Sequence, residues 1–153
     1  MGLFDFVKEA GAKLFGIGET EAEREEQERA KINALVSQVK TFGLKVDDLK
    51  IDIEEDVATV FGTVPSQAEK EKVILLVGNV NGIARVDDRL QVVTPEPPAV
   101  FYTVVRGDTL SKIAKQHYGD AMKYPIIFEA NKPMLKDPDK IYPGQVLRIP
   151  LLN

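Results

Sequence analysis

Apolar positions along the chain fall into runs whose spacing changes from one segment to the next. At the amino terminus Leu3, Phe6, Val7, Ala10 and Leu14 recur at three- and four-residue intervals, which predicts a short amphipathic helix interrupted at Gly11. Its apolar face needs cover, and docking on a neighbouring domain or lying on a membrane surface would each provide it. In residues 19–42 a polar front half leads into Ile32, Leu35, Val36 and Val39, one helical stripe closed by Gly43. The period then falls to two in residues 49–54 and 57–62, which predicts a hairpin turning at residues 54–56. Ser66 followed by Glu69 reads as a capping box, opening a helix with Val73, Leu76 and Val77 on its buried side and a stop at Gly78. Residues 83–93 form a last strand with Val86, Leu90 and Val92 inward. The order αββαβ predicts a small mixed sheet with helices on one face.

Three prolines in four positions, Pro95, Pro97 and Pro98, stop both helix and ladder and favour an extended strut. Beyond it a strand over 102–105, a turn at Arg106 and Gly107, and an N-cap at Asp108 or Thr109 introduce a helix over 110–117. A second helix over 124–130 and a returning strand over 146–149 complete a βααβ unit. The fold class is therefore α+β in two small domains. The expected divisions are residues 1–18 as the docking helix, 19–94 as the first domain, 95–100 as the linker and 101–153 as the second.

Composition removes most enzyme chemistries. With 153 residues, each domain has only a modest core. Zero cysteines exclude disulfides, thiolate metal sites and thiol nucleophiles, and the single His117 leaves one imidazole at most. His117 reads as a cap or crevice filler at a helix end. Ser111 and Asp108 share a helix start with no imidazole at a triad-like spacing, so capping explains them and no catalysis is expected. No basic n-region opens the chain, no run of about 18 apolar residues occurs, and Phe6 stands where a myristoylation motif wants Ser or Thr. A cytoplasmic monomer without stable membrane insertion is the expectation. Twelve basic residues against nineteen acidic up to Ala99, and eight against five thereafter, give no concentrated basic face, so nucleic acid is not an expected partner. The acidic groups Asp47-Asp48, residues 54–56 and Asp87-Asp88 read as solvated acids, because neighbours on a strand point to opposite faces and do not share an ion.

Two stretches carry family resemblances. Gly62-Thr-Val64 and Val80-Asn-Gly-Ile-Ala-Arg-Val-Asp-Asp-Arg-Leu90 resemble the BON domain, which implies an interaction module rather than a reaction. The segment Tyr102-Thr-Val-Val-Arg-Gly-Asp-Thr-Leu110, with Ala130-Asn-Lys-Pro133 and Ile141-Tyr-Pro-Gly-Gln-Val-Leu-Arg-Ile-Pro150, resembles the LysM domain. That second resemblance implies a shallow groove for N-acetylglucosamine glycans, at Gly107, Asp108, Thr109, Leu110, Pro133 and Ile141. Without an export signal, peptidoglycan would lie on the other side of the membrane.

The pairing of the two domains, with the opening Met-Gly-Leu-Phe-Asp-Phe-Val-Lys-Glu-Ala-Gly, resembles a family of small bacterial potassium-binding proteins. It implies a potassium-ion (K+) sensor or buffer that changes shape with its ligand, and it leaves a glycan-binding module and a membrane or protein adaptor as alternatives. A large monovalent cation is matched by several neutral carbonyl oxygens, whereas clustered carboxylates suit calcium or magnesium. Helix ends at glycine offer such oxygens. Read as an extended loop, in which alternate carbonyls face one side, the segment after Gly78 would converge the carbonyls of Gly78, Val80 and either Gly82 or Ile83, with Val7 and Ala10 closing the cage from the docked amino-terminal helix. Two ordinary glycine caps satisfied by water are the competing reading.

Overall fold

The computed structural model describes residues 2–6, 21–80 and 82–152. The first unit begins with a strand, β1 (Gly2–Asp5), followed by α1 (Glu21–Thr41), the hairpin β2 (Asp47–Glu54) and β3 (Val57–Ser66), α2 (Gln67–Gly78) and β4 (Arg85–Thr94). Its sheet runs in the order β1-β4-β3-β2. β3 and β4 are parallel and joined by the α2 crossover, and both outer pairings are antiparallel.

The amino terminus departs from its expected helix. Residues 2–5 form a strand, with Leu3 opposite Asp87 and Phe4 opposite Val86. β4 would otherwise expose a row of unpaired backbone groups, and pairing with β1 satisfies them. The relevant period is two: Phe6 is buried and Phe4 half-buried, while Leu3 and Asp5 are exposed. The rest of the expected helix, including Val7, Ala10 and Leu14, lies outside the described residues.

Alternation in the strands fills one side of the sheet with Ile51, Ile53, Ala58, Val60, Val64, Val86 and Leu90, and Leu35 and Val39 of α1 lie against them. Ser66 caps α2, its hydroxyl accepting from the Glu69 N–H at 3.2 Å. The expected box is half made, since the Glu69 carboxylate takes the Lys45 N–H instead. α2 is buried from Val73 through Gly78 without interruption. An amphipathic helix buries one stripe; one buried on all sides is enclosed by two layers. The second layer here is the other domain.

That domain comprises β5 (Val100–Thr103), α3 (Leu110–Tyr118), a 3-10 turn (Ala121–Lys123), α4 (Tyr124–Ala130) and β6 (Val146–Ile149). β5 starts two residues before the expected strand and inside the expected linker, because its register with β6 runs from Val100 opposite Ile149 to Thr103 opposite Val146. Leu147 and Ile149 face the domain's own core with Leu110, Ile113, Ala114 and Ile127. Val146 faces the other way and belongs to the core of the first domain. The helix-free face of the small sheet therefore lies on α2, and Phe101 stacks on Phe4 with ring centroids 5.2 Å apart.

Candidate functional site

The loop between α2 and β4 is the point on which three parts of the chain converge. Gly78, the last residue of α2, faces the Phe6 ring so closely that a Cβ at this position would overlap it. The Phe6 N–H donates to the Ala84 carbonyl at 2.8 Å. Glycine is needed here for the approach of another ring, and the amino-terminal segment is thereby held beside both ends of the loop.

The loop itself is not extended. Asn79 caps α2 in the right-handed helical region, with its N–H on the Leu75 and Val77 carbonyls. The Val80 N–H then donates to Val77 at 3.3 Å, and the Ile83 N–H to Val80 at 3.2 Å. Gly82 has φ +91°, which permits the second turn. These turns replace the expected extended loop and its alternate carbonyls, because the Val80 and Ile83 N–H groups fold back onto nearby carbonyls. Gly78, Val80, Gly82 and Ile83 lie together in these turns, whereas Val7 and Ala10 are outside the described residues. Each carbonyl oxygen has two lone pairs, so one hydrogen bond leaves capacity for a second partner. The setting is apolar, with Val77 and Ile83 fully buried. Among the described residues no group of three or more His, Asp and Glu side chains gathers to hold a metal ion. A set of neutral oxygens at the negative end of a helix dipole suits a weakly hydrated monovalent cation better than a divalent one.

The second domain closes over this region. The Asn79 carboxamide donates to the Val146 carbonyl at 2.9 Å and accepts the Val146 N–H at 2.8 Å. One helical face further back, the buried Glu71 carboxylate accepts from Arg148 Nε at 2.9 Å, Arg148 Nη2 at 2.8 Å and the Ala99 N–H at 2.8 Å. The proline strut thus ends bound to the first domain and does not hold the two apart in this arrangement. Beside Val80 a cavity of about 270 Å³ opens between the domains, lined by Phe42, Leu76, Met134, Tyr142 and Gln145 among others. Sequence reasoning missed Glu71, Asn79 and Arg148. The available signal was the uninterrupted apolar run of residues 73–77, which exceeds what one sheet can cover.

The expected acidic groups divide. Asp88 is buried and pairs with Lys70 at 2.7 Å, so it is not a solvated acid, while Asp87 pairs with Arg89 at an exposed position. Neighbouring strand residues point to opposite faces, and the inward one meets α2.

On the second domain the side chains of the expected glycan groove are largely committed to the fold. The Asp108 carboxylate accepts the Val105 N–H at 2.9 Å and the Tyr102 hydroxyl at 2.6 Å, and the hydroxyl bond, with burial and the carboxylate's charge, pushes the Tyr102 pKa up to about 12. Thr109, not Asp108, is the N-cap of α3, and Leu110 is in the core. Gly107 is exposed at a turn, Pro133 follows a cis peptide bond, and Ile141 packs against the domain core. His117 meets the Tyr102 ring edge-on at 5.3 Å. Among the described residues no helix is long and apolar enough to cross a membrane.

Comparison with known proteins matches residues 25–94 to the BON domain and residues 102–150 to the LysM domain. The chain is 51% identical over 150 residues to the potassium binding protein Kbp of Escherichia coli O6:H1, covering 98% of this chain and 99% of that protein. Shorter matches, 55% identical over 49 residues to an uncharacterized protein of Deinococcus radiodurans and 51% over 53 residues to the esterase Rv1288 of Mycobacterium tuberculosis, cover 19% and 11% of those proteins.

Proposed function

This chain, a BON domain followed by a LysM domain, belongs to the family of the potassium binding protein Kbp, and from that premise we propose that it binds potassium ions, acting as a monomeric cytoplasmic sensor or buffer. The ion is held by backbone carbonyls of Gly78, Val80, Gly82 and Ile83, with Val7 and Ala10 completing the set from the amino-terminal segment. The observation carrying this reading is the seating of Phe6 on Gly78 and Ala84, which brings the residue before Val7 to the loop. Binding closes the second domain over the loop, because a coordinated backbone fixes the turns against which that domain packs.

The test is a thermal-shift titration of the full chain in potassium, sodium and magnesium chloride at matched ionic strength. Potassium should raise the midpoint well beyond sodium. Deleting residues 1–11, or replacing Gly82 by Val where φ is positive, should abolish the potassium increment, and Met122→Ala, at an exposed turn of the second domain, should keep it. A deletion variant with an undiminished potassium response would sink the assignment. The committed side chains of Asp108, Thr109 and Leu110 do not favour a glycan ligand, and unchanged amide shifts around 107–110 with millimolar chitooligosaccharide are expected.

A further inference from the structure

β6 is one strand of a two-stranded sheet, and half its backbone groups point away from β5. The outward groups are those of Val146 and Arg148, two residues apart. Each is met by an asparagine carboxamide that donates to the carbonyl and accepts from the N–H, as a neighbouring strand would. At Arg148 the carboxamide is Asn131 of the same domain, at 2.9 and 2.8 Å. At Val146 it is Asn79 of the other domain, again at 2.9 and 2.8 Å. The edge is therefore finished half by its own domain and half by the BON domain.

The backbone of Asn79 stands between Gly78 and Val80. Any rearrangement of those two peptides moves the Asn79 Cα, and a short side chain with two bonds near 2.9 Å loses them with a displacement of a few tenths of an ångström to one ångström. We propose that Asn79 is the positioning residue through which ion occupancy of the loop is coupled to docking of the LysM sheet edge. This inference rests on the potassium reading above. It touches no ion with its side chain; it reads the loop's conformation and reports it to Val146, 67 residues away in sequence.

Amide hydrogen exchange by NMR on the full chain, in potassium chloride and in sodium chloride of equal strength, tests it. In the unaltered chain, potassium should slow exchange of both the Ile83 and the Val146 N–H, the latter about tenfold for a pair of hydrogen bonds gained. In Asn79→Ala the Ile83 effect should persist and the Val146 effect should vanish. Asn79→Asp, which keeps the acceptor for the Val146 N–H and opposes its carbonyl, should retain only part of it and carries the test should the alanine variant fail to fold. Equal slowing at Val146 in Asn79→Ala overturns the coupling, as does an Ile83 response without a Val146 response in the unaltered chain. Potassium without effect on either amide of the unaltered chain overturns the ion assignment, and this inference with it.

Discussion

Single residues decide two properties that no pattern of apolar positions announces. Gly78 is required because the Phe6 ring occupies the place of its Cβ. Gly78→Ala should displace that ring and lose most of its burial, about 2–3 kcal/mol by urea denaturation, and Phe6→Ala added to it should cost little more. Additive losses would mean that ring and glycine do not compete for the same space. Tyr102 gives a pH signature. Its proton is held more tightly in the folded chain, where the hydrogen bond to Asp108 dominates, so the contribution is complete below about pH 10 and disappears as pH approaches about 12. Tyr102→Phe should flatten the alkaline loss of stability over that range, measured as denaturation midpoint against pH; an unchanged slope would refute it. Tyr102 opens a contiguous sequence motif, but its partner is not legible there, because Asp108 stands beside Thr109 as a cap candidate and Thr109 fills that role.

At the scale of elements, α2 is the member shared by both domains. One side packs on the sheet of the BON domain, and the other carries Glu71, Asn79 and the apolar surface under Val146. Glu71 and Arg148 are both largely removed from water, and the carboxylate has donors for each oxygen, so the pair is tolerated only as a pair. Removing one partner strands the other: Glu71→Gln or Arg148→Ala should cost about 3–5 kcal/mol, whereas replacing both by Met should cost far less. Chemical denaturation of the three variants gives the comparison, and equal losses in single and double variants would contradict it. Local spacing of Leu3, Phe6 and Val7 favoured a helix, yet the unpaired edge of β4 supplied hydrogen bonds that a solitary short helix lacks.

For the whole molecule, the consequence of this shared helix is a closed arrangement in which the strut, β5, β6 and α2 interlock. Small-angle scattering should give a smaller radius of gyration in potassium than in sodium chloride, and Arg148→Ala should reduce the difference. Identical curves at saturating potassium would remove the closing motion. The sequence alone determined the α+β class, both the αββαβ and βααβ successions, the hairpin, the caps at Ser66 and Thr109 among the named candidates, and the two domain families, because each of these is written in spacing of a few residues or in contiguous motifs. Tertiary structure decided the rest. Whether residues 2–5 are strand or helix depended on an edge some eighty residues later; whether Asp88 is solvated depended on Lys70; and whether the proline strut separates or tethers depended on Glu71, Asn79 and Arg148. These pairings join residues distant in sequence through hydrogen bonds and ion pairs that exist only after the apolar faces have met, so no local period encodes them.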